Sequence, residues 1–73
     1  MAKKRPRSFG KYLSDLRSQA DWSLRELAKE SGLSLTRLWN LEQDNHSPTL
    51  PALLKLSDAF GMSLTKFVAP LHR

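Results

Sequence analysis

The chain has 73 residues, 40% of them hydrophobic, and twelve Lys and Arg against seven Asp and Glu give a formal net charge of +5. That is one small domain, which buries only about 60% of the surface its unfolded form exposes and so needs an efficient core; with no cysteine and with His46 and His72 far apart, neither a disulfide nor a metal site is expected to help. No apolar run approaches the ~20 residues of a membrane span and the basic start leads into no signal-peptide core, so the expected chain is soluble and cytoplasmic.

Residues 1–7, with Lys3, Lys4, Arg5 and Arg7, read as a flexible basic arm, placed either along DNA or simply as a solubilising tail. A single domain is expected over residues 8–70. Phe9, Tyr12, Leu13, Leu16 and Ala20 then recur at helical spacing behind a capping Ser8, which predicts a first helix with one buried face. Asp21-Trp22 makes the connection, and Trp22 is expected to anchor it in the core rather than to stack on a ligand.

The second helix has a clear start. Ser23 followed by Glu26 forms a capping box, in which each side chain satisfies a free N–H at the other's position. Leu24, Leu27 and Ala28 face inward, and Gly32 supplies the left-handed residue that ends the helix. A small residue at Ala28 lets neighbouring helices cross closely. Ser34 caps the third helix, with Leu38 and Leu41 inside and Leu35, Thr36, Arg37, Trp39 and Asn40 outside. Leu35 and Trp39 are large apolar residues off the core spacing, one turn apart.

After a polar loop, Thr49 caps a fourth helix whose first turn tolerates Pro51. Leu50, Leu53, Leu54, Leu56, Ser57 and Phe60 give it a broad apolar face, and Gly61 ends it. Ser63 starts a short fifth helix through Leu64, Phe67 and Val68, stopped near Pro70. Residues 71–73 remain as a tail without linker composition, which favours a complete protein. The expected fold is all-α, with five helices.

Two capped helices joined through Gly32-Leu33 have the layout of a helix-turn-helix, whose second helix can lie in a DNA major groove. A pI near 10.1 points the same way, toward an anionic partner. Leu-Arg at 16–17, Ser-Leu-Arg-Glu-Leu-Ala at 23–28, Ser-Gly-Leu-Ser at 31–34, Leu-Trp-Asn-Leu-Glu at 38–42, Ser-Pro-Thr-Leu at 47–50 and Phe-Gly-Met-Ser-Leu at 60–64 follow in a telling order. Together they resemble the phage-repressor-type helix-turn-helix domains, the lambda Cro and repressor group that includes the xenobiotic-response-element regulators of bacteria. The likeness runs from about Phe9 to Val68.

The resemblance implies a compact lambda-repressor-like domain and a structural ion pair between Arg17 and Glu42. It also implies that the third helix enters the major groove of double-stranded DNA, with Leu35, Thr36, Arg37, Trp39 and Asn40 at the bases. Phosphate contacts are expected from Ser23, Leu24, Arg25 and Ser34, and from Asn45, His46 and Thr49 around the later loop. Leu24 stands where relatives often carry glutamine and offers only its backbone N–H. Lys11, Lys29 and Lys55 read as solvated faces. Two departures stand out. Asp44 replaces a usual glycine, in a turn that Asp tolerates, and Trp39 replaces a small or polar residue. Trp39 would wedge against the groove wall or belong to a protein interface.

These readings make the chain a sequence-specific transcriptional regulator, a repressor binding a two-fold operator as a homodimer through Leu64, Phe67, Val68 and Leu71. The alternative role of those four residues is closing the core over the fourth helix. The rival function is a protein-interaction module, such as the antitoxin subunit of a toxin–antitoxin pair. No enzyme is expected, because the seven acids are spread over helix surfaces and form no convergent cleft. Cofactor, metal and small-molecule effector are likewise not expected.

Overall fold

The computed structural model describes residues 8–71. The arm residues Lys3, Lys4, Arg5 and Arg7 lie outside the described residues, as do the last two residues of the tail. Five helices follow in order: α1 Phe9–Gln19, α2 Leu24–Ser31, α3 Leu35–Glu42, α4 Leu50–Ala59 and α5 Leu64–Val68, with a 3-10 turn at Ala69–Leu71. No strand occurs among the described residues, and no helix there is long and apolar enough to cross a membrane.

Each helix starts where a hydroxyl can replace the missing helical acceptor. Ser8, Ser23, Ser34, Thr49 and Ser63 accept from the backbone N–H of Lys11, Glu26, Arg37, Ala52 and Lys66. At Ser23 the reciprocal bond, donated by its own backbone N–H to the Glu26 carboxylate, completes the capping box. The ends are equally local. Gly32 sits at φ 78°, and two aspartates, Asp21 at 60° and Asp44 at 59°, take the same left-handed turn that glycine otherwise supplies.

The core is Leu13, Leu27, Leu38, Leu41, Leu56 and Phe67, all essentially without exposed surface, with Tyr12 and Ala52 beside them. The helices pack as α1 on α3, α2 on α3 and α4, and α4 on α5. Trp22 stacks on Phe60 at 5.4 Å, which ties the α1–α2 connection to the end of α4.

Two sequence expectations are corrected here. Phe67 is not part of a dimer surface: it is fully buried, ringed by Phe9, Tyr12 and Phe60 at 5.6 to 6.3 Å. The Tyr12 hydroxyl donates to its carbonyl oxygen. A five-residue helix has too few turns for periodicity to separate its inner from its outer side. Nor is the apolar face of α4 as broad as its leucines suggest. Leu50 and Leu54 are 60% and 48% exposed, because each precedes an inner residue, Ala52 or Leu56, by about 200° of helical rotation.

Candidate nucleic-acid interface

An eight-residue helix has little stability of its own, so the direction of α3 depends on what holds it. Its C-terminal end is fastened to α1 in three ways. Arg17 Nε donates to Glu42 Oε2 at 2.7 Å and Nη2 to Oε1 at 3.0 Å, a two-pronged pair. The third guanidinium nitrogen, Nη1, donates to the Trp22 carbonyl at 3.0 Å. The side chains keep only 21% and 9% of their surface exposed. The hydrogen bond to Glu42 raises the Arg17 pKa above the usual arginine value, against the lowering effect of burial.

The second fastening is an absence of side chain. A Cβ on Gly10 would stand 2.8 Å from the Leu41 carbonyl oxygen and closer still to that of Glu42. Only glycine lets α1 lie this close to the last turn of α3. The third fastening is Asp44, whose Oδ1 accepts from the Gly10 N–H at 2.9 Å. Asp44 thereby acts as a second cap on α1 and places its negative charge at the favourable end of that helix. Sequence reasoning missed both roles, which join Gly10 to residues more than thirty positions away; the one available signal was an aspartate in place of a turn glycine.

Away from this clamp, the outer side of α3 is open to solvent. Leu35 and Trp39 are 37% and 51% exposed, and Thr36 and Arg37 are exposed beside them. Two grooves flank this ridge. One, of about 520 Å³, runs between the start of α2 and the outer side of α3; Ser23, Leu24, Arg25, Leu35, Thr36 and Trp39 line it with mostly apolar surface. The other, of about 440 Å³, is more polar and holds Ser34, Arg37, Asn40 and His46 against Thr49, with Thr36 on the shared ridge.

The structure therefore brings the base-reading and phosphate candidates of the sequence onto one surface. It also shows what several of them already hold. The Asn40 carbonyl oxygen accepts from Asn45 Nδ2 at 3.0 Å, while the Asn40 backbone carbonyl accepts the Asn45 N–H. Arg37 Nη2 donates to Thr49 Oγ1 at 3.2 Å. At the start of α2 the capping box takes up the N–H groups of Ser23 and Glu26. That leaves the Leu24 and Arg25 amides, which have no acceptor inside the helix. Leu64, Val68 and Leu71, half-buried in and after α5, line neither groove.

Comparison with known proteins agrees with this layout. The family model described as "Helix-turn-helix domain" matches residues 8–67. The HTH-type transcriptional regulator PuuR of Escherichia coli (strain K12) is 41% identical over 58 residues, covering 80% of this chain and 31% of PuuR. This chain thus spans about a third of the length of that relative. Among solved structures, an HTH_3 family transcriptional regulator from Vibrio cholerae superposes with a TM-score of 0.77 at 29% identity, over 85% of this chain and 35% of that one. The restriction-modification controller protein C.AhdI from Aeromonas hydrophila gives 0.76 at 28% identity, over 82% of this chain and 91% of that one. The chain belongs to the helix-turn-helix domain family.

Proposed function

We propose that this chain is a sequence-specific DNA-binding module of a transcriptional regulator, a repressor that works as a homodimer on a roughly two-fold operator. One observation carries the reading: α3 is clamped at Glu42 while its outer side presents Leu35, Thr36, Arg37 and Trp39 to solvent. The amides of Leu24 and Arg25 and the side chains of Ser34, Asn45, His46 and Thr49 flank that ridge as phosphate contacts, and Asn40 completes the base-reading set. Similarity to transcriptional regulators supports the same function. The basic arm, Lys3, Lys4, Arg5 and Arg7, adds backbone affinity.

One such module makes few contacts, so two copies on half-sites about one helical turn apart supply affinity and specificity. Leu64, Val68 and Leu71 remain as the dimer surface once Phe67 is assigned to the core, and exposed Leu50 and Leu54 on α4 extend the apolar area available to it. Repression follows from occupying a promoter and requires no effector.

The test is selection from random oligonucleotides, then titration of the enriched duplex over a range of salt. A two-fold motif, bound tightly with a steep salt slope, is the expected result. Recovery of no motif, with weak salt-sensitive binding alone, would refute operator recognition. The exposure of Trp39 favours a second reading, an antitoxin-like module whose α3 face holds a protein; it predicts a tight protein complex and a shallow salt slope.

A further inference from the structure

We propose that the groove formed by Leu24, Leu35 and Trp39 is a receptor for the C5-methyl group of a thymine in the major groove. This inference rests on the DNA-binding reading above and names the chemistry by which that surface selects its sequence. Two of the polar side chains suited to base edges are engaged on the other side of α3, Asn40 with Asn45 and Arg37 with Thr49, while Thr36 lies on the ridge between the two grooves. What α3 and α2 present together on the near side is apolar, with Leu24 from one helix and Leu35 and Trp39 from the other.

The surroundings fix the occupant. Arg25 and Ser23 also line this groove, at the start of α2, so a cationic side chain adjoins its apolar surface and suits a neighbouring phosphate. An apolar floor beside an anion site matches a duplex major groove, where the thymine methyl is the one apolar feature of the base edges. A cytosine methylated at C5 offers the same methyl, but with an N4 donor where thymine has its O4 acceptor. Leu24 packs in part against the core, and the surface it keeps forms one side of this groove.

The experiment uses the full chain and the duplex recovered by selection, with each thymine replaced singly by deoxyuridine. That change removes the methyl and leaves every hydrogen-bonding group in place. At one or two positions per half-site, Kd should rise about three- to tenfold. Leu35→Ala and Trp39→Ala, both at exposed positions, should bind the thymine and uracil duplexes equally, with helicity by circular dichroism unchanged. If the selected duplex is bound and every uracil substitution stays within twofold, the methyl receptor is refuted while DNA recognition stands. A uracil penalty that persists in both variants would also refute it, placing the methyl elsewhere. Tightening by 5-methylcytosine without any uracil penalty would overturn the assignment to thymine. Failure to bind any selected duplex would instead remove the underlying function.

Discussion

Replacing Glu42 by alanine tests the clamp that holds α3. The substitution deletes both carboxylate contacts at 2.7 and 3.0 Å and leaves the Arg17 guanidinium with the Trp22 carbonyl alone. Stranding one member of a buried pair costs about 3–5 kcal/mol. Arg17 keeps 21% of its side chain exposed, so water partly re-solvates it, and the lower end applies: ~3 kcal/mol. A domain of this length has about 4–11 kcal/mol in total, so the loss is a large share of its stability. In urea, with a slope of about 1 kcal/mol per molar, the midpoint by circular dichroism should fall by roughly 3 M.

The companion variants separate charge pairing from packing. Arg17→Lys loses the two-pronged geometry and should fall between wild type and Glu42→Ala. The double replacement Arg17→Met with Glu42→Leu should return to within about 1 kcal/mol of wild type, since an apolar pair strands no charge. The double-mutant cycle then yields the coupling. A loss below about 1 kcal/mol in Glu42→Ala, the range of an exposed pair, would refute the argument.

Other outcomes follow from the same geometry. Gly10→Ala drives a Cβ into the carbonyls of Leu41 and Glu42 and should cost about 2–3 kcal/mol by thermal or urea denaturation; an effect under ~0.5 kcal/mol would mean that α1 and α3 separate freely. Asp44→Ala removes the bond to the Gly10 N–H and leaves a Cβ at φ 59°, so about 1–2 kcal/mol should be lost. Asp44→Gly keeps the turn unstrained and should recover part of that loss. Because the folded-state pKa of Arg17 is raised, its contribution is present below the ordinary arginine range and lost only as pH rises above it. The stability gap between wild type and Arg17→Met should therefore stay level from about pH 7 to pH 10. On the proposed homodimer, Leu64→Glu, at a half-buried position outside the core cluster, should shift sedimentation from dimer to monomer; an unchanged dimer would exclude α5 as its surface, and a monomeric wild type would refute the dimer itself.

The features legible in the chain are those decided over three or four residues. All five helix starts were readable because an N-cap and the amide it satisfies are close in sequence, as at Ser23 and Glu26. Trp39 and Leu35 were recognisable as outward because Leu38 and Leu41 already fill the inner stripe of α3. What was hidden depends on contacts between distant segments. Nothing near Gly10 in sequence reports that it lies under the Leu41 and Glu42 carbonyls. The leucines of α4 illustrate the opposite failure. Hydrophobicity alone put Leu50 and Leu54 on the inner face, whereas the helix has only one side turned to α2 and α5.

The fastenings of α3 also explain how so small a domain can hold the surface proposed above to read DNA. Gly10, Arg17 and Asp44 all engage the last turn of α3 or the loop just after it, and Leu38 and Leu41 lock the inner side. None of these contacts touches Leu35, Thr36 or Trp39. The exposed side chains of Leu35 and Trp39 can therefore make new contacts without breaking these fastenings, whereas Arg37 and Asn40 would exchange their bonds to Thr49 and Asn45. Preorganisation of this kind lowers the ordering entropy paid on binding. On the proposed DNA-binding mode, changes at exposed Leu35 and Trp39 should alter sequence preference with little effect on the fold, whereas a change at Gly10 or Glu42 should weaken recognition of every sequence alike.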